Sequence, residues 1–476
     1  MKNIFFLLSV SESFFTSCME LFKKDPNSKN VYLSCFSYCN KNDSDLSVFD
    51  HAVYFKDALE SKNKISMEEC LRQAKRMESE YHFVLSSLIH AERNFDRFDK
   101  QDVFRIAISM ALKVEEIHSL KPIEMVVSEG LDDFLSMFLY FFSKKNDIPF
   151  RYPVRSRIGT GLYLSDGPDG HVVTASLRNK GKSMLEADAY IEGYLKEKIQ
   201  PSYMVANRRF FKVASKQDFL TLGKMLIRKD RKTTFHAYQD PFSAVKKRVV
   251  RIINASRYAS CLSKNEADIE KLSEMGLKYF IYPLHFHPEA STLVKGRWIN
   301  NQLQIIEFIS KSLPADCVLL VKEHKVSIGR RERSFYDEVV KHHNVMLVSH
   351  KLNPHDLIKR SCGVVTISSS MGLEAIFHDK AVICFGDVFY NQVNGVVNAR
   401  NIAKMNEYVL EALSFKGYSQ GDVRCLIYEI ITSSVFPEKD FSPHKYAEEH
   451  CEVFLDLLAT DIDFVIHGKA LRKNVA

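Results

Sequence analysis

The sequence predicts an α/β protein made of two domains, each with a largely parallel sheet. The chain has 476 residues, and domains of about 100–200 residues are usual, so one single core is not expected. Its 46% apolar, 26% charged and 12% aromatic residues are typical of packed globular proteins. In both halves, short apolar runs alternate with amphipathic stretches, which is the pattern of parallel strands connected by helices.

The first domain is expected over residues 1–181 and has a Rossmann-like alternation. Its N-terminal apolar run lacks a small-residue cleavage site, so we interpret it as a first strand rather than a signal peptide. The expected strands are 4–9, 31–34, 52–55 and 124–128, and the expected helices are 66–89, 103–118 and 131–142.

Residues 182–273 have a Lys/Arg-rich helical periodicity and are expected to form a basic helical connector. A second Rossmann-like domain is expected over 274–436, and a C-terminal helix within 437–476, at about 445–458, is expected to pack back across the domains. Two such domains facing a cleft suit a transferase that holds two substrates. The second domain's expected strands are 279–286, 317–323, 345–349, 364–368 and 381–385, and its helices are 298–312, 333–342, 354–360 and 370–378.

Charge and cysteine patterns bear on the compartment and the partners. No apolar run is long enough to span a bilayer, and the ten cysteines show no zinc-site spacing, so we expect a cytoplasmic protein with reduced thiols. Residues 208–257 carry fourteen basic side chains against three acidic ones. This stretch is either a solvated helical face or a surface for anionic lipid headgroups or a lipid-pyrophosphate acceptor, which would make the protein peripheral at the inner membrane face. Nucleic acid is not expected as a partner, because no recognised motif accompanies the charge.

The most informative local pattern is an apolar strand, 364–367, that ends in three serines and opens a helix. The hydroxyls of Ser368, Ser369 and Ser370, the small Gly372 and the free N–H groups of a helix N-terminus suit a phosphate. Glu374, one turn later, can accept hydrogen bonds from ribose hydroxyls. The alternative is that the serines are ordinary helix caps and Glu374 is a solvated carboxylate.

Polar residues follow two further strands of the second domain. Lys322 and His324 follow the run 317–321, and His285 and His287 follow the run 279–284 on one face. Because ligands of doubly wound sheets sit at the carboxyl ends of strands, we expect these side chains to share a crevice with the serine loop. Cations there can stabilise a departing phosphate without a metal.

These residues, in this order, resemble the capsular polysaccharide biosynthesis family, which is similar to bacterial Kdo transferases. The matching segments are Tyr-Pro-Leu-His-Phe-His-Pro-Glu at 282–289, Lys-Glu-His at 322–324, Thr-Ile-Ser-Ser-Ser-Met-Gly-Leu-Glu-Ala at 366–375, and Val-Ile-Cys-Phe-Gly at 382–386. The resemblance implies a GT-B architecture, no metal and no cofactor beyond a CMP-activated acidic sugar as co-substrate, bound mostly by the C-terminal domain.

Carried over by position, the resemblance gives each matched residue an expected role. His287 and Glu289 would lie beside the sugar donor, with His287 counted among the catalytic candidates, and Lys322 and His324 would contact its phosphate or carboxylate. The serine loop would bind the phosphate and Glu374 the ribose. The sequence departs from the family at Lys325, where proline is usual, and at His287, where glutamine is frequent.

The N-terminal half is expected to supply the catalytic carboxylate. Glu129 follows the apolar strand 123–128 and is the first choice; Asp132, Asp133 and Asp166 are second choices. For each of them the alternative is a helix-capping or loop carboxylate. The resemblance implies retention of configuration, which requires a carboxylate nucleophile or front-face attack.

The expected function is therefore transfer of Kdo or another ulosonic or nonulosonic acid from its CMP ester to a saccharide or lipid-linked saccharide. Two Asp-x-Asp patterns, at 43–45 and 461–463, are interpreted as coincidences rather than metal sites. The alternatives are a transferase or epimerase that uses a UDP-sugar or CDP-alcohol, and a non-catalytic scaffold of capsule assembly.

Overall fold

A computed structural model of the chain describes residues 1–9, 11–39, 45–62, 64–158, 160–173, 184–197, 241–436 and 448–467. The chain divides into two compact units. Unit 1 contains the described residues up to 173 together with 429–436 and 448–467, and unit 2 contains 184–197 and 241–428.

Unit 1 is built on a six-stranded sheet in the order β3-β2-β1-β4-β5-β6. All neighbours are parallel except β6, which pairs antiparallel with β5. This 3-2-1-4-5-6 order is that of the Rossmann fold. Its strands are β1 (Lys2–Leu8), β2 (Val31–Ser37), β3 (His51–Tyr54), β4 (Ile123–Ser128), β5 (Phe150–Arg155) and β6 (Leu162–Ser165).

Six α-helices of unit 1 lie between its strands in the described residues before β5. They are α1 (Glu12–Lys23), α2 (Phe55–Lys62), α3 (Met67–Tyr81), α4 (Leu85–Ala91), α5 (Lys100–Leu120) and α6 (Phe134–Lys145). The sequence predicts one helix over 66–89, but the structure has two. His82 ends α3 in the left-handed conformation at φ 57°, a common way for a helix to terminate.

Unit 2 repeats the same strand order in a fully parallel sheet, β12-β11-β10-β7-β8-β9. Strand burial is nearly complete from β7 to β11, as expected for a sheet covered on both faces. The strands are β7 (Lys278–Pro283), β8 (Cys317–Lys322), β9 (Val345–Val348), β10 (Gly363–Thr366), β11 (Ala381–Cys384) and β12 (Val396–Asn398).

The helices of unit 2 belong to the expected second domain and to the part of the expected connector that the structure describes. They are α7 (Met184–Glu197), α8 (Pro241–Asn265), α9 (Ile269–Glu274), α10 (Ala290–Leu293), α11 (Gln302–Ser312), α12 (Arg333–Val340), α13 (Pro354–Arg360), α14 (Ser370–Phe377) and α15 (Met405–Leu413). Helix α16 spans Gln420–Ser433.

The predicted fold class, α/β with two Rossmann-like domains, is confirmed by these two sheets. Of the basic stretch 208–257, residues 208–240 lie outside the described residues, and the remainder belongs to α8. Among the described helices, none combines the length and the apolar character that crossing a membrane requires.

The C-terminal helix α17 (Glu448–His467) packs against α1 in the core of unit 1. Phe454 makes edge-to-face contacts with Phe14 and Phe15, with ring centroids 5.6 and 5.2 Å apart. One charge on this helix is buried: Asp461 accepts two hydrogen bonds from the Arg151 guanidinium of β5, at 3.0 and 2.7 Å. Asp461 therefore has a structural partner in Arg151.

We predict that Asp461→Asn destabilises the protein by about 3 kcal/mol or more, because it leaves a buried guanidinium without its carboxylate. Urea unfolding followed by circular dichroism measures this change. Asp316→Asn is the control, since it breaks the exposed Lys278–Asp316 pair and should leave the free energy of unfolding almost unchanged. Equal effects of the two substitutions would contradict the buried pair.

Candidate functional site

The predicted ligand-binding residues of unit 2 lie after the carboxyl ends of β7, β8 and β10. Strands β7 and β10 are neighbours, and the chain leaves them in opposite directions, towards β8 and towards β11. Ligands of doubly wound sheets bind in the crevice at such a reversal of strand order. The segments that follow these strands are therefore candidates for one common site.

The loop between β10 and α14 is ordered by its own hydroxyl groups. Ser369 is the N-cap of α14: its hydroxyl accepts from the Met371 N–H at 3.2 Å, and its own N–H donates to Thr366 Oγ1 at 2.9 Å. The Ser370 hydroxyl lies 3.4 Å from Glu374 Oε1. Ser369 is thus a helix cap, one of the two interpretations that the sequence allows, and the helix N-terminus it caps has the partial positive charge that favours an anion.

Ser368 joins this loop to the end of β7. Its backbone N–H donates to His285 Nε2 at 3.1 Å, and its hydroxyl donates to the Ser291 carbonyl at 2.9 Å. His285 is buried, and burial lowers its pKa to about 3, with smaller contributions from His324 and Arg331. The ring is therefore neutral, and because Nε2 accepts, Nδ1 carries the proton. That N–H has no hydrogen-bond partner among the residues that the structure describes.

Gly372 is required by a close approach rather than by its backbone conformation. A Cβ at this position would clash with the Tyr390 hydroxyl and lie 2.6 Å from its ring carbon Cζ. The same hydroxyl donates to the Ser369 carbonyl at 2.7 Å. The absence of a side chain at Gly372 therefore allows Tyr390 to pack against the predicted phosphate loop and to hydrogen-bond to it.

Glu374 lies close enough to Lys322 to affect the pKa of the Lys322 ammonium. The Lys322 ammonium donates to the carbonyls of Ser349 and His350 at 3.1 and 2.9 Å, so it ties β8 to the loop after β9. Burial, with a smaller contribution from Lys325, lowers the pKa of Lys322 to about 7, and Glu374 opposes the shift. Glu374 is 3% exposed, which differs from the solvated carboxylate that the alternative interpretation expects.

His324 and His287 are neutral imidazoles in a positive environment. Burial lowers the pKa of His324 to about 4, and Arg331, Lys322 and Lys325 add to the shift. His287 is exposed, its Nδ1 lies 2.9 Å from Thr292 Oγ1, and burial of part of the ring followed by Arg331 lowers its pKa. Burial is the main cause of both shifts, and a bound anion would offset the smaller contribution of the neighbouring positive charges.

Glu289 is the N-cap residue of the short helix α10, where its backbone carbonyl and the Thr292 hydroxyl hydrogen-bond at 3.0 Å. It is exposed, and its charge raises the otherwise lowered pKa of Arg330. Glu289 and His287 therefore both hydrogen-bond with Thr292, and Glu289 has a capping role.

A cavity of about 280 Å³ lies where α8 packs along the β9 edge of the sheet. It is bordered by Ser349 and His350, the residues whose carbonyls accept from Lys322. His350 Nδ1 has no hydrogen-bond partner within the described ranges, and burial followed by Lys322 lowers the pKa of this ring to about 4. The cavity is also lined by Arg248, Arg251 and Lys351 and by one carboxylate, Glu266, so its lining has more basic than acidic side chains.

In unit 1, Glu129 lies where the ends of β4 and β1 meet. Its carboxylate accepts from the N–H groups of Ser9 and Ser11 at 2.9 and 3.1 Å and from the Ser11 hydroxyl at 2.6 Å. Burial raises the pKa of Glu129 to about 7, and the hydrogen bonds from Ser11 moderate the shift. A carboxyl group with this pKa can change its protonation state near neutral pH.

The second-choice acids have different surroundings. Asp132 is paired with Arg93 at 3.1 Å, and Asp133 caps α6 by accepting from the Ser136 N–H at 2.8 Å, so the capping interpretation applies to Asp133. Asp166 follows the antiparallel edge strand β6, is exposed, and lies 3.9 Å from Arg151. Strand β5 separates it from β4, so the structure does not place Asp166 on the strand that carries Glu129.

Residues 190–412 match the model of a family described as capsule polysaccharide biosynthesis protein. The predicted family resemblance is confirmed. The match spans all strands of unit 2, and with them every residue predicted to bind the sugar donor. No curated protein matches the chain in sequence.

Similar solved structures include two Kdo transferases and an epimerase. The Thermosulfurimonas dismutans KpsC β-Kdo 2,4-transferase is 14% identical, with 64% of this chain and 88% of that chain covered and a TM-score of 0.33. The 2,7-transferase of the same organism is 13% identical, with 67% and 88% covered and a TM-score of 0.29. The Methanocaldococcus jannaschii UDP-GlcNAc 2-epimerase is 11% identical, with 90% and 99% covered and a TM-score of 0.27.

Two further charged residues, Arg331 in unit 2 and Glu92 in unit 1, were not singled out from the sequence. Arg331 donates through Nε to Glu323 at 2.9 Å and through Nη2 to the His285 carbonyl. Glu92 lies beside Asp133 in unit 1, where burial raises its pKa to about 8 and Asp133 adds to the shift. Arg331 is one of several arginines in a loop, and Glu92 follows a helix, so neither stands in a pattern that marks a site.

We predict that wild-type protein loses stability relative to Glu129→Gln as the pH rises from 4.5 towards 7. Below this window the carboxyl is protonated in both the folded and the unfolded state; within it the unfolded chain ionises first, which favours unfolding by about 3 kcal/mol at most. Urea unfolding of both proteins at a series of pH values measures the difference. Glu124→Gln, at a more exposed position on β4, is the control, and a pH-independent difference for Glu129→Gln would contradict the raised pKa.

Proposed function

We propose that the protein is a glycosyltransferase of capsule or lipopolysaccharide synthesis that acts without a metal ion. It transfers Kdo or another ulosonic or nonulosonic acid from a CMP-activated donor to a saccharide acceptor, with retention of configuration. The family match supports the place in capsule polysaccharide biosynthesis. The CMP-activated donor, the retention of configuration and the metal independence are parts of the proposal that the family match does not address.

This proposal rests on the basic side chains near the carboxyl ends of β7, β8 and β10 in unit 2, where the strand order reverses. His324 is held neutral by burial and by Arg331, Lys322 and Lys325, and His285 and His287 are shifted in the same direction. A CMP ester of an acidic sugar carries a phosphate and a carboxylate, and it would compensate this charge better than a neutral sugar nucleotide.

Each residue of the crevice then has a role towards the CMP-sugar. The N-terminus of α14, with Ser368, Ser369 and Ser370 and with Gly372 behind them, binds the phosphate. Glu374 accepts from the ribose hydroxyls. Lys322 and His324 contact the phosphate or the sugar carboxylate and stabilise the departing CMP, while His287 and Glu289 lie beside the sugar.

Glu129 is our first choice for the carboxylate that acts at the anomeric carbon. Its pKa of about 7 means that a large fraction is ionised at neutral pH, and its three hydrogen bonds hold the carboxylate in one orientation. Retention requires either that a carboxylate forms a covalent intermediate or that the acceptor attacks from the side of the departing CMP. Asp166 is the second choice.

We further propose that the protein works in the cytoplasm and at the inner face of the membrane, where lipid-linked acceptors are assembled. The fourteen basic residues of 208–257 would contact anionic headgroups. A solvated helical face remains the alternative for this stretch.

Two other functions fit parts of the same site. The phosphate loop and Glu374 recognise phosphate and ribose, so a transferase or epimerase with a UDP-sugar or CDP-alcohol would use them equally. A non-catalytic scaffold of capsule assembly would keep the nucleotide fold without turnover.

We predict that CMP raises the thermal unfolding midpoint and that UDP does so less. At about 100 times its Kd, CMP should stabilise the folded state by about 2.7 kcal/mol. Lys322→Met should abolish most of this shift, because it removes the ammonium from the crevice, whereas the exposed Lys311→Met is the matched control and should retain it. A shift with UDP and none with CMP would overturn the proposed donor.

We predict that Glu129→Ala and His324→Ala each abolish the cellular glycan although the variant proteins accumulate at the normal level. Immunoblotting of the glycan in a deletion strain complemented with each variant measures this. If both variants restore the glycan while deletion removes it, the protein is a scaffold and not the transferase.

A further inference from the structure

A pocket of about 410 Å³ opens in unit 2 beside, but not within, the crevice described above. None of the residues proposed to bind the CMP-sugar borders it. Its size is that of a small-molecule site, which typically has a volume of about 300–1,000 Å³. The pocket, hereafter the Trp298 pocket, is lined by Lys295, Gly296, Trp298, Ile299, Phe385, Arg400, Asn401 and Ile402.

Trp298 is the only tryptophan of the chain, and it is 71% exposed. Tryptophan is usually largely buried, because its ring offers more apolar surface than any other side chain. The Arg297 guanidinium lies 5.4 Å from the ring centroid, a cation–π distance that restrains the indole. An exposed and restrained indole at a pocket is suited to stacking against the C–H face of a pyranose ring.

The polar side chains of the pocket favour an acidic ligand. Lys295 and Arg400 are the two charged residues among those named above as lining the pocket, and Arg400 is paired with the neighbouring Asp387. Arg400 is held in place through Nη2 to Asp387 at 2.6 Å and through Nη1 to the Phe385 carbonyl at 3.3 Å, and its side chain is still 46% exposed. Asn401 Oδ1 accepts from the Ala403 N–H, which fixes the amide so that its nitrogen can donate to a hydroxyl.

Backbone hydrogen bonds and close packing connect the lining of the pocket to the phosphate loop, residues 368–370. The Asp387 N–H donates to the Lys295 carbonyl at 2.9 Å, and the Gly386 N–H donates to the Ile367 carbonyl at 2.8 Å. A Cβ on Gly296 would lie 2.5 Å from Ile367 Cγ2, so this segment packs directly on the residue before Ser368. A ligand in the Trp298 pocket would therefore be held by the same backbone that presents the phosphate loop.

We infer that the Trp298 pocket is a saccharide subsite that binds a carboxylate-bearing sugar unit of the acceptor glycan. The pyranose stacks on Trp298, and its carboxylate is bound by Arg400 and Lys295. This inference rests on the proposed transferase function and deepens it, because it assigns part of the recognition of the acceptor to the domain that binds the sugar donor.

Fluorescence tests this subsite directly, since Trp298 is the sole tryptophan. A Kdo disaccharide, used as the probe in a titration of the full-length protein, should shift the emission to shorter wavelength and saturate. Maltotriose, a neutral probe of similar size, should require an at least tenfold higher concentration, and Arg400→Gln should remove about tenfold of the preference. Equal responses to the two probes would overturn the acidic ligand class. Emission that depends on protein concentration and not on either probe would show that a second copy covers the ring, and would overturn the subsite.

Steady-state kinetics separates the subsite from the proposed function. Trp298→Ala should raise the KM for the acceptor about tenfold, with kcat and the KM for the CMP-sugar unchanged. Trp298→Phe should restore most of the affinity, and Leu410→Ala, at another exposed apolar position of unit 2, is the matched control. An unchanged acceptor KM in Trp298→Ala overturns the subsite. If CMP does not raise the thermal unfolding midpoint of the wild-type protein, the proposed donor is wrong, whatever the acceptor KM shows. Failure of the subsite and failure of the proposed donor can therefore be told apart.

Discussion

The ion pair between Arg331 and Glu323 connects the strand ends on which the candidate site depends. Glu323 is fully buried after β8 and accepts from Arg331 Nε at 2.9 Å and from the Tyr336 hydroxyl at 2.7 Å. Arg331 also donates to the carbonyl of His285 after β7, and His285 accepts from the Ser368 N–H after β10. Three strand ends are thus joined through one guanidinium. Removal of either charge would leave the other buried without compensation, which is strongly destabilising.

The same guanidinium adds to the effect of burial, which is the main cause of the lowered pKa values of the crevice histidines. It contributes to the lowered pKa values of His285, His287 and His324, and Lys322 and Lys325 act in the same direction on His324. Neutral imidazoles can accept or donate hydrogen bonds without adding to the charge. The structure therefore combines basic side chains, of which Arg331 is paired with Glu323, with neutral rings around a helix N-terminus, and an anionic ligand there would raise the lowered pKa of Lys322.

Much of the fold could be predicted from the sequence, because buried parallel strands such as 317–322 and 363–366 are continuous apolar runs. The break in the first long helix was missed, since it depends on the left-handed backbone of His82 and not on a glycine or proline. The strand-end location of Glu129 was predictable from the run before it. The Arg331–Glu323 pair was not, because the sequence gives no signal for a contact that forms only when the strands are assembled.

We expect the phosphate of CMP to bind at the carboxyl ends of β7 and β10 in unit 2, where the strand order reverses. A crystal structure of the protein with CMP tests it most directly. We expect phosphate oxygens within hydrogen-bond distance of the Ser369–Ser370 segment at the N-terminus of α14, and the Glu374 carboxylate within hydrogen-bond distance of the ribose hydroxyls. A phosphate bound elsewhere, with this helix N-terminus covered by protein side chains, would contradict it.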